Sequence, residues 1–549
     1  MPEALRNIFE KEFVYIKGFL RNVKRFGGWS ALTCPMREKT WTYRELNSEV
    51  NKLSNTLLDA GVSEGDVVTY MLTNIAEFVF FYLATQKIGV VNNPINYRLA
   101  PGEVAYILDE CPAKVFAYEA QLVETVQKAL EMAKKKPEIL VRVETLDSDS
   151  SISGDVVYRE FVKSSSDKEP YAEDDIPSRA FSEVTRLHTS GTTGLPKVVP
   201  LTNLNEILSA HDVIMHYPLS PTDKTMNLTP WFHRGGLYSG GPNPTLYVGA
   251  QLVSLRTFDP VVALNYIEKY KITFITGAPI TARMLLEEHL KNPRDLSSLK
   301  GLCTMGAPLD RSFCIELMEN ITPNIMNGYG TTETFWNTFL RPFDLPQRAG
   351  AAGRSCTDDK VKVVKLSEKP NTDNLVERNN EEVGEVITKS LKFSYWYINP
   401  RETEKKVHND WYFTGDLATW DQDGCITIVG RKDDMIISGG ENIYPVQIEE
   451  ALAEHPKVTD LVVVGVPDER WGEICTAYVV PKEPIESEVE FAKELDEFCK
   501  KHLMLSDYKR PRYYKFIEAL PLTATGKKKH YKIRELASED KKMGKLIRV

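Results

Sequence analysis

Residues 67–72 read VVTYML, followed by AEFVFFYLATQKIG at 76–89, KVFAYEA at 114–120 and QLVETVQKALEMAKKK at 121–136. A β-branched run of strand length gives way to a stretch of helix length, and the pair then repeats. Such alternation is the pattern of parallel sheet covered by helices. It continues with FDPVVALNYIEKYK at 258–271, ITFITGAP at 272–279 and ITARMLLEEHLKN at 280–292. The expected fold class is α/β, with helix-covered sheets building a large N-terminal lobe.

Past residue 430 the pattern becomes a compact series: IYPVQIEEALAEHP (443–456), VTDLVVVGVPD (458–468), ICTAYVVP (474–481), VEFAKELDEFCKKH (489–502) and RYYKFIEALP (512–521). This is enough chain for a small α+β core of its own. A boundary is expected between Gly430 and Asp434, dividing residues 1–432 from 433–549. The Ser-, Asp-, Glu- and Lys-rich stretch 146–178 reads as a solvated loop, and 368–384 as a turn region between short strands.

The chain has 549 residues, 42% hydrophobic and 26% charged, the composition of a soluble globular protein. Its formal charge of −9 argues against nucleic acid as a partner, because backbone phosphates are held by clustered Lys and Arg. Eight cysteines are scattered without a C-x-x-C pair, which suggests reduced thiols in a cytoplasmic protein rather than a zinc cluster or a disulfide framework. MPEALRNIFEKEF has no signal pattern, and no stretch approaches the ~18 apolar residues of a membrane span. Residues 8–26 read as one amphipathic helix with Ile8, Phe9, Phe13, Ile16, Phe19, Leu20 and Val23 near one face. Packing on its own domain is the favoured reading of that stripe, over contact with a membrane surface.

Residues 189–197, TSGTTGLPK, hold two glycines, four hydroxyl side chains and a lysine. A Walker loop needs Gly-x4-Gly-Lys-Ser/Thr, and here Val198 stands where the metal-binding hydroxyl belongs. A loop of this composition still binds phosphate through backbone N–H groups, hydroxyls and the ammonium.

Four further stretches accompany it: MGAPL at 305–309, NGYGTTE at 327–333, YFTGDLATWDQDG at 412–424 with GRKDDMIISGGENIYP at 430–445, and LPLTATGKKKH at 520–530. In this order and spacing they resemble the AMP-forming adenylating superfamily of acyl- and aryl-CoA synthetases, nonribosomal-peptide adenylation domains and luciferases. WTYREL at 41–46 resembles its N-terminal motif. The resemblance implies ATP, magnesium and coenzyme A as ligands and a small C-terminal domain that moves.

By that resemblance Thr189, Ser190, Gly191, Thr192, Thr193 and Lys197 hold the β- and γ-phosphates. Glu333 binds magnesium, Thr332 touches the α-phosphate, and Tyr329 with Gly330, Gly306, Ala307 and Pro308 borders the adenine. Asp416 takes the ribose hydroxyls and Arg431 contacts phosphate and ribose. Lys527 bridges the carboxylate and the α-phosphate. Asp433 is the hinge, and a swing about it brings Gly439, Gly440 and Glu441 to the pantetheine tunnel. Ile437 departs from the lysine that many members carry before Ser-Gly-Gly.

The same resemblance places His233 beside the carboxylate, with the acid lined from TPWFHRGGLY (229–238), TGAPITARM (276–284), MGAPL and ETFWNT (333–338). Trp231, Gly328 and Trp336 are the expected pocket residues, and two tryptophans leave little depth for a long chain. No Asp or Lys in these runs offers a partner for an ammonium. A compact apolar acid follows: alicyclic, aromatic, or short-to-medium aliphatic. Trp471, Tyr508 and Arg510 resemble the CoA-nucleotide surface of aryl-CoA ligases.

No carrier segment follows residue 530, which favours CoA over carrier loading. The expected activity is thus an acid:CoA ligase, with carrier loading, a non-catalytic nucleotide-binding homologue and thioester-driven ATP formation as alternatives, and with a homodimer left open.

Overall fold

The computed structural model describes residues 3–549 apart from 146–150, 191–195, 368, 395, 439–440, 469–470, 503–504, 506–508 and 523–526. The side chains of Ser190, Glu441 and Asn442 also lie outside the described part. The chain divides into two compact units. The first comprises Met1–Ala349, Ser355–Lys360 and Thr388–Tyr412, and the second Gly350–Arg354, Val361–Ile387 and Phe413–Val549.

The first unit holds a seven-stranded and a nine-stranded sheet. VVTYML becomes the strand Val67–Met71, flanked in parallel by Val91–Pro94 and Val115–Glu119. The next stretch becomes the helix Ala76–Lys87, with every residue buried. A helix apolar on all sides has no solvent face to spare, so it is enclosed. The nine-stranded sheet runs parallel from Ser30–Cys34 through Gln251–Val253, Lys224–Asn227, Phe274–Gly277 and Gly301–Met305 to Ile325–Thr331, with antiparallel strands at both edges.

The N-terminal expectation needs correcting. Residues 8–26 form the end of one helix, Glu3–Glu12, and the whole of another, Tyr15–Phe26, separated by an extended Val14. Asn203 Oδ1 accepts from the Tyr15 amide at 3.0 Å, so a distant residue caps the new start. The second helix buries Tyr15, Ile16 and Phe19 as the packed reading expects, while the first buries nothing and leaves Ile8 exposed. The stretch 146–178 is also more than a solvated loop. Its Glu169 meets Lys87 Nζ at 2.8 Å, and Asn47 and Asn51 complete the shell of that buried ammonium. A charge so placed needs its partners.

The second unit contains one whole sheet and the larger part of another. Asp359–Val364, Gly384–Ser390, Trp411–Trp420 and Ile426–Arg431 belong to a five-stranded sheet. Beyond the short turn Lys432–Asp434 comes a six-stranded sheet centred on the long antiparallel pair Val458–Asp468 and Gly472–Pro481. Side chains alternate along Val458–Asp468: Leu461 and Val463 join the helices Pro445–Ala453 and Glu488–Lys501, whereas Val462, Val464 and Val466 meet Ile533 and Ala537 of the helix His530–Lys542. The period of two gives the small sheet a helical layer on each face. All eight cysteines are buried thiols. Among the described residues no helix is long and apolar enough to cross a membrane.

Candidate active site

The parallel strands Lys224–Asn227, Phe274–Gly277, Gly301–Met305 and Ile325–Thr331 point the same way. The segments that follow them, which carry TPWFHRGGLY, MGAPL and the end of YGTTE, therefore leave from one end of the sheet. Open α/β sheets bind ligands at the carboxyl ends of their strands.

Ile325–Thr331 turns back into Phe335–Leu340, with Gly330 in register with Trp336. A Cβ on Gly330 would lie 1.5 Å from the Phe335 carbonyl oxygen, so no other residue fits this tight return. At the return Thr331, the last residue of the first strand, and Thr332 are half-buried and Glu333 is buried. Tyr397 Oη donates to Glu333 Oε1 at 2.5 Å and lies 3.2 Å from Tyr412 Oη. Burial, and then the Glu333 charge, push the Tyr397 phenol far above its ordinary value, which keeps it a donor. No motif in the sequence singles out Tyr397.

Tyr329 is half-buried opposite Thr338. Gly306 turns at φ +84°, and Gly306, Ala307 and Pro308 are exposed at the end of their strand. Trp336 is buried against Gly328, where an added Cβ would come within 2.5 Å of its indole nitrogen. The Trp336 carbonyl accepts from Lys392 Nζ at 2.6 Å, and the same buried ammonium meets Asp212 at 2.6 Å and Asp359 at 2.9 Å. Trp231 is buried edge-on to Phe78.

His233 caps the short helix Arg234–Tyr238, its Nδ1 accepting from the Gly236 amide at 3.0 Å. That bond leaves the neutral ring's proton on Nε2. A Cβ on Gly236 would lie 1.6 Å from the Pro230 carbonyl oxygen, so the turn closes only on glycine. Two buried asparagines hold the loop. Asn74 accepts from the Trp231 amide at 2.8 Å and donates to the Thr229 carbonyl, while Asn227 accepts from the Thr229 amide and donates to the Ser239 carbonyl, each at 2.8 Å. Neither was anticipated, since single asparagines far apart carry no pattern.

The TSGTTGLPK loop closes a β-hairpin, Glu183–Ser190 with Pro196–Thr202, in which Thr189 pairs with Lys197. A strand-to-strand return is not the strand-to-helix Walker arrangement. Gly191, Thr192 and Thr193 lie outside the described residues, as does the Ser190 side chain. Lys197 makes an ion pair with Glu402 of the helix Pro400–Lys406. Hydrogen bonding to Lys197 and Lys405 holds the Glu402 carboxyl below its ordinary value.

In the second unit Asp416 and Arg431 face each other on adjacent antiparallel strands, with Arg431 Nη1 2.5 Å from Asp416 Oδ1. Asp433 lies in the turn between the two sheet systems. Lys527 is exposed beside the bridge that joins Leu522 to Lys528. Trp471 is exposed, its amide donating to Asp468 Oδ1 at 3.1 Å. Arg510 is buried and ion-paired with Asp496 of the helix Glu488–Lys501. Gly439, Gly440, Tyr508 and the Glu441 side chain lie outside the described part.

The sequence matches the AMP-binding enzyme family over residues 19–394 and the AMP-binding enzyme C-terminal domain over 447–527. The chain belongs to the AMP-binding enzyme family. Among relatives, an indoleacetate–CoA ligase of Aromatoleum aromaticum is 30% identical over 513 residues, covering 93% of this chain and 96% of the relative. A long-chain-fatty-acid–CoA ligase of Mycobacterium tuberculosis, FadD13, is also 30% identical and covers 90% and 92% of the two chains. The crystal structure of the anthranilate CoA ligase AuaEII with anthranoyl-AMP superposes with a TM-score of 0.83 at 27% identity, covering 96% of this chain and 98% of that one. This AMP-binding enzyme thus stands among AMP-forming acyl- and aryl-CoA ligases, with their α/β fold of a large N-terminal and a smaller C-terminal domain.

Proposed function

We propose that the enzyme joins a compact apolar carboxylic acid to coenzyme A through an acyl-adenylate. A carboxylate oxygen attacks the α-phosphorus of ATP and the bond to pyrophosphate breaks. The CoA thiol then attacks the acyl carbon and AMP leaves. The observation that carries this reading is the hairpin Ile325–Leu340 with Glu333 buried at its turn and held by Tyr397.

In the first half-reaction Lys197 and the hydroxyls of Thr189, Ser190, Thr192 and Thr193 hold the outgoing phosphates. Lys197 must then exchange Glu402 for phosphate. Glu333 suits magnesium as a hard carboxylate donor, aided by Thr332 at the α-phosphate, and the ion when bound supplies positive charge at the phosphate oxygens. Asp416 and Arg431 receive the ribose; the ion pair between them keeps both side chains oriented before a nucleotide arrives. Lys527 neutralises two anions that must approach each other, so it acts in adenylation. His233 orients the acid.

For thioester formation the small domain, taken as 433–549, turns about Asp433. Lys527 withdraws, and Gly439, Gly440 and Glu441 meet the pantetheine arm. Trp471, which is exposed, is proposed with Tyr508 to receive the CoA nucleotide; the Asp496 pair makes Arg510 a support of that surface rather than its cation.

The compact-acid reading is supported by Trp336, whose indole is seated on Gly328 and whose carbonyl is fixed by Lys392. Acid-dependent pyrophosphate release with ATP, magnesium and CoA tests it, across acetate, benzoate, cyclohexane carboxylate and palmitate. A peak among the ring acids is expected. Full-rate turnover of palmitate would sink the pocket reading, and no release with any acid would sink the ligase reading.

A further inference from the structure

The loop that carries Lys527 is tied down just beyond the lysine. His530 Nε2 lies 2.9 Å from Glu449 Oε1, joining the start of the helix His530–Lys542 to the helix Pro445–Ala453. Glu449 is buried, and the His530 side chain is only 18% exposed. The same carboxylate oxygen accepts from the Val463 amide at 2.7 Å, so the anchor on the sheet side is rigid. Lys528 reaches the Leu461 carbonyl and Asp460, each at 2.7 Å, and Arg534 on the next turn of the helix meets Asp434 at 3.3 Å. Lys527 therefore directly precedes two anchors, the backbone bridge of Lys528 to Leu522 and the buried imidazole–carboxylate pair of His530.

We propose that His530 is a positioning residue whose pairing with Glu449 holds the segment Lys527–His530 for adenylation, and that loss of the imidazolium charge loosens that segment. The proposal rests on the reading of Lys527 as the adenylation lysine. The charged groups facing His530 are Glu449 from one helix, Asp434 from the hinge turn and Lys528 from its own segment, with Arg534 engaged by Asp434. Burial opposes the imidazolium, but the hydrogen bond and charge of Glu449, and then the charge of Asp434, outweigh burial and Lys528 and raise its value above the ordinary 6.5. The tether is thus complete below the unfolded value and is lost as pH rises through the raised folded one. Arginine in its place would stay charged throughout.

The test follows the two half-reactions separately, acid-dependent ATP–pyrophosphate exchange and CoA transfer from supplied acyl-adenylate, from about pH 6 to about pH 9, the interval in which histidine changes charge. Wild-type exchange is expected to decline toward the alkaline end. His530→Arg should flatten that decline. His530→Gln should lower exchange tenfold to a hundredfold at the acid end, roughly the effect of misplacing a catalytic group by about 1 Å. CoA transfer should be unmoved in both variants.

A His530→Gln profile that overlays wild type, or equal loss of both half-reactions, overturns the proposal. A second measurement does not need turnover: the rate of cleavage after Lys527–Lys529 by a lysine-specific protease, taken as the ratio of wild type to His530→Arg at each pH. The ratio should rise with pH, and a constant ratio is a refutation. A wild-type enzyme inert with every acid but showing the rising ratio refutes the ligase reading and leaves the tether standing.

Discussion

The Ile325–Leu340 hairpin of the first unit and the Lys527 loop of the second are built on different physics. The hairpin is fixed by shape: Gly330 admits the Phe335 carbonyl, Gly328 admits the Trp336 indole, and the turn leaves Glu333 buried with a phenol as partner. The segment after Lys527 is fixed by charge, through Lys528 to Asp460 and His530 to Glu449. Shape does not titrate, whereas a salt-linked loop responds to pH and can be released. In the proposed function a fixed hairpin and a releasable lysine serve two successive half-reactions, the first using Lys527 and the second proceeding without it.

The contrast can be broken most severely at Glu333. Glu333→Gln keeps the shape and the Tyr397 contact but removes the charge, so adenylation should fall about a hundredfold or more, the scale of losing a transition-state electrostatic contact. Titration of exchange against magnesium should show a weakened metal dependence; an unchanged dependence would move the metal site elsewhere.

Next comes Gly330→Ala. The added methyl meets backbone at 1.5 Å, so the hairpin must open. A melting shift equivalent to about 1–3 kcal/mol is expected, the usual cost of overpacking, with exchange lost alongside it. An alanine enzyme of full stability and activity would refute the shape argument.

Asn227→Ala should act less on the fold than on the acid. It strips the Thr229 amide and three carbonyls of the 229–239 loop of their shared partner, at about 1–3 kcal/mol. The expected signature is a raised KM for the acid with kcat for saturating acid changed less, measured by exchange; a change in the KM for ATP alone would contradict it.

The smallest effect is expected at Glu402→Gln, which frees Lys197 from its competitor in the resting enzyme. Pyrophosphate should bind a few-fold more tightly, the scale of a surface-type ion pair, in product inhibition. Weaker binding would make Glu402 a helper of Lys197 instead.

The residues of the hairpin were found through the resemblance of NGYGTTE, a motif that is compact because its constraints are local. A glycine beside a bulky strand residue, or hydroxyls at a strand end, leave adjacent letters. The helix Ala76–Lys87 and the strand Val458–Asp468 were equally plain, since a nearly continuous apolar run follows from burial on every side of a helix and on both faces of a strand. What escaped is held by pairing across distance. Tyr397 reaches Glu333, Asn74 reaches Trp231, Lys392 ties Asp212 to Asp359, and Asp496 claims Arg510. The break at Val14 was hidden for the same reason, because its cap comes from Asn203. The resemblance likewise gave Arg510 to the CoA-nucleotide surface, and only the fold reveals the Asp496 carboxylate that pairs with it.

The most direct test of the division of labour is Lys527→Ala, followed through each half-reaction with the acid that wild type prefers. Pyrophosphate exchange should be nearly abolished while CoA transfer from supplied acyl-adenylate continues at close to the wild-type rate. Equal loss of the two half-reactions would contradict a lysine that serves only the first.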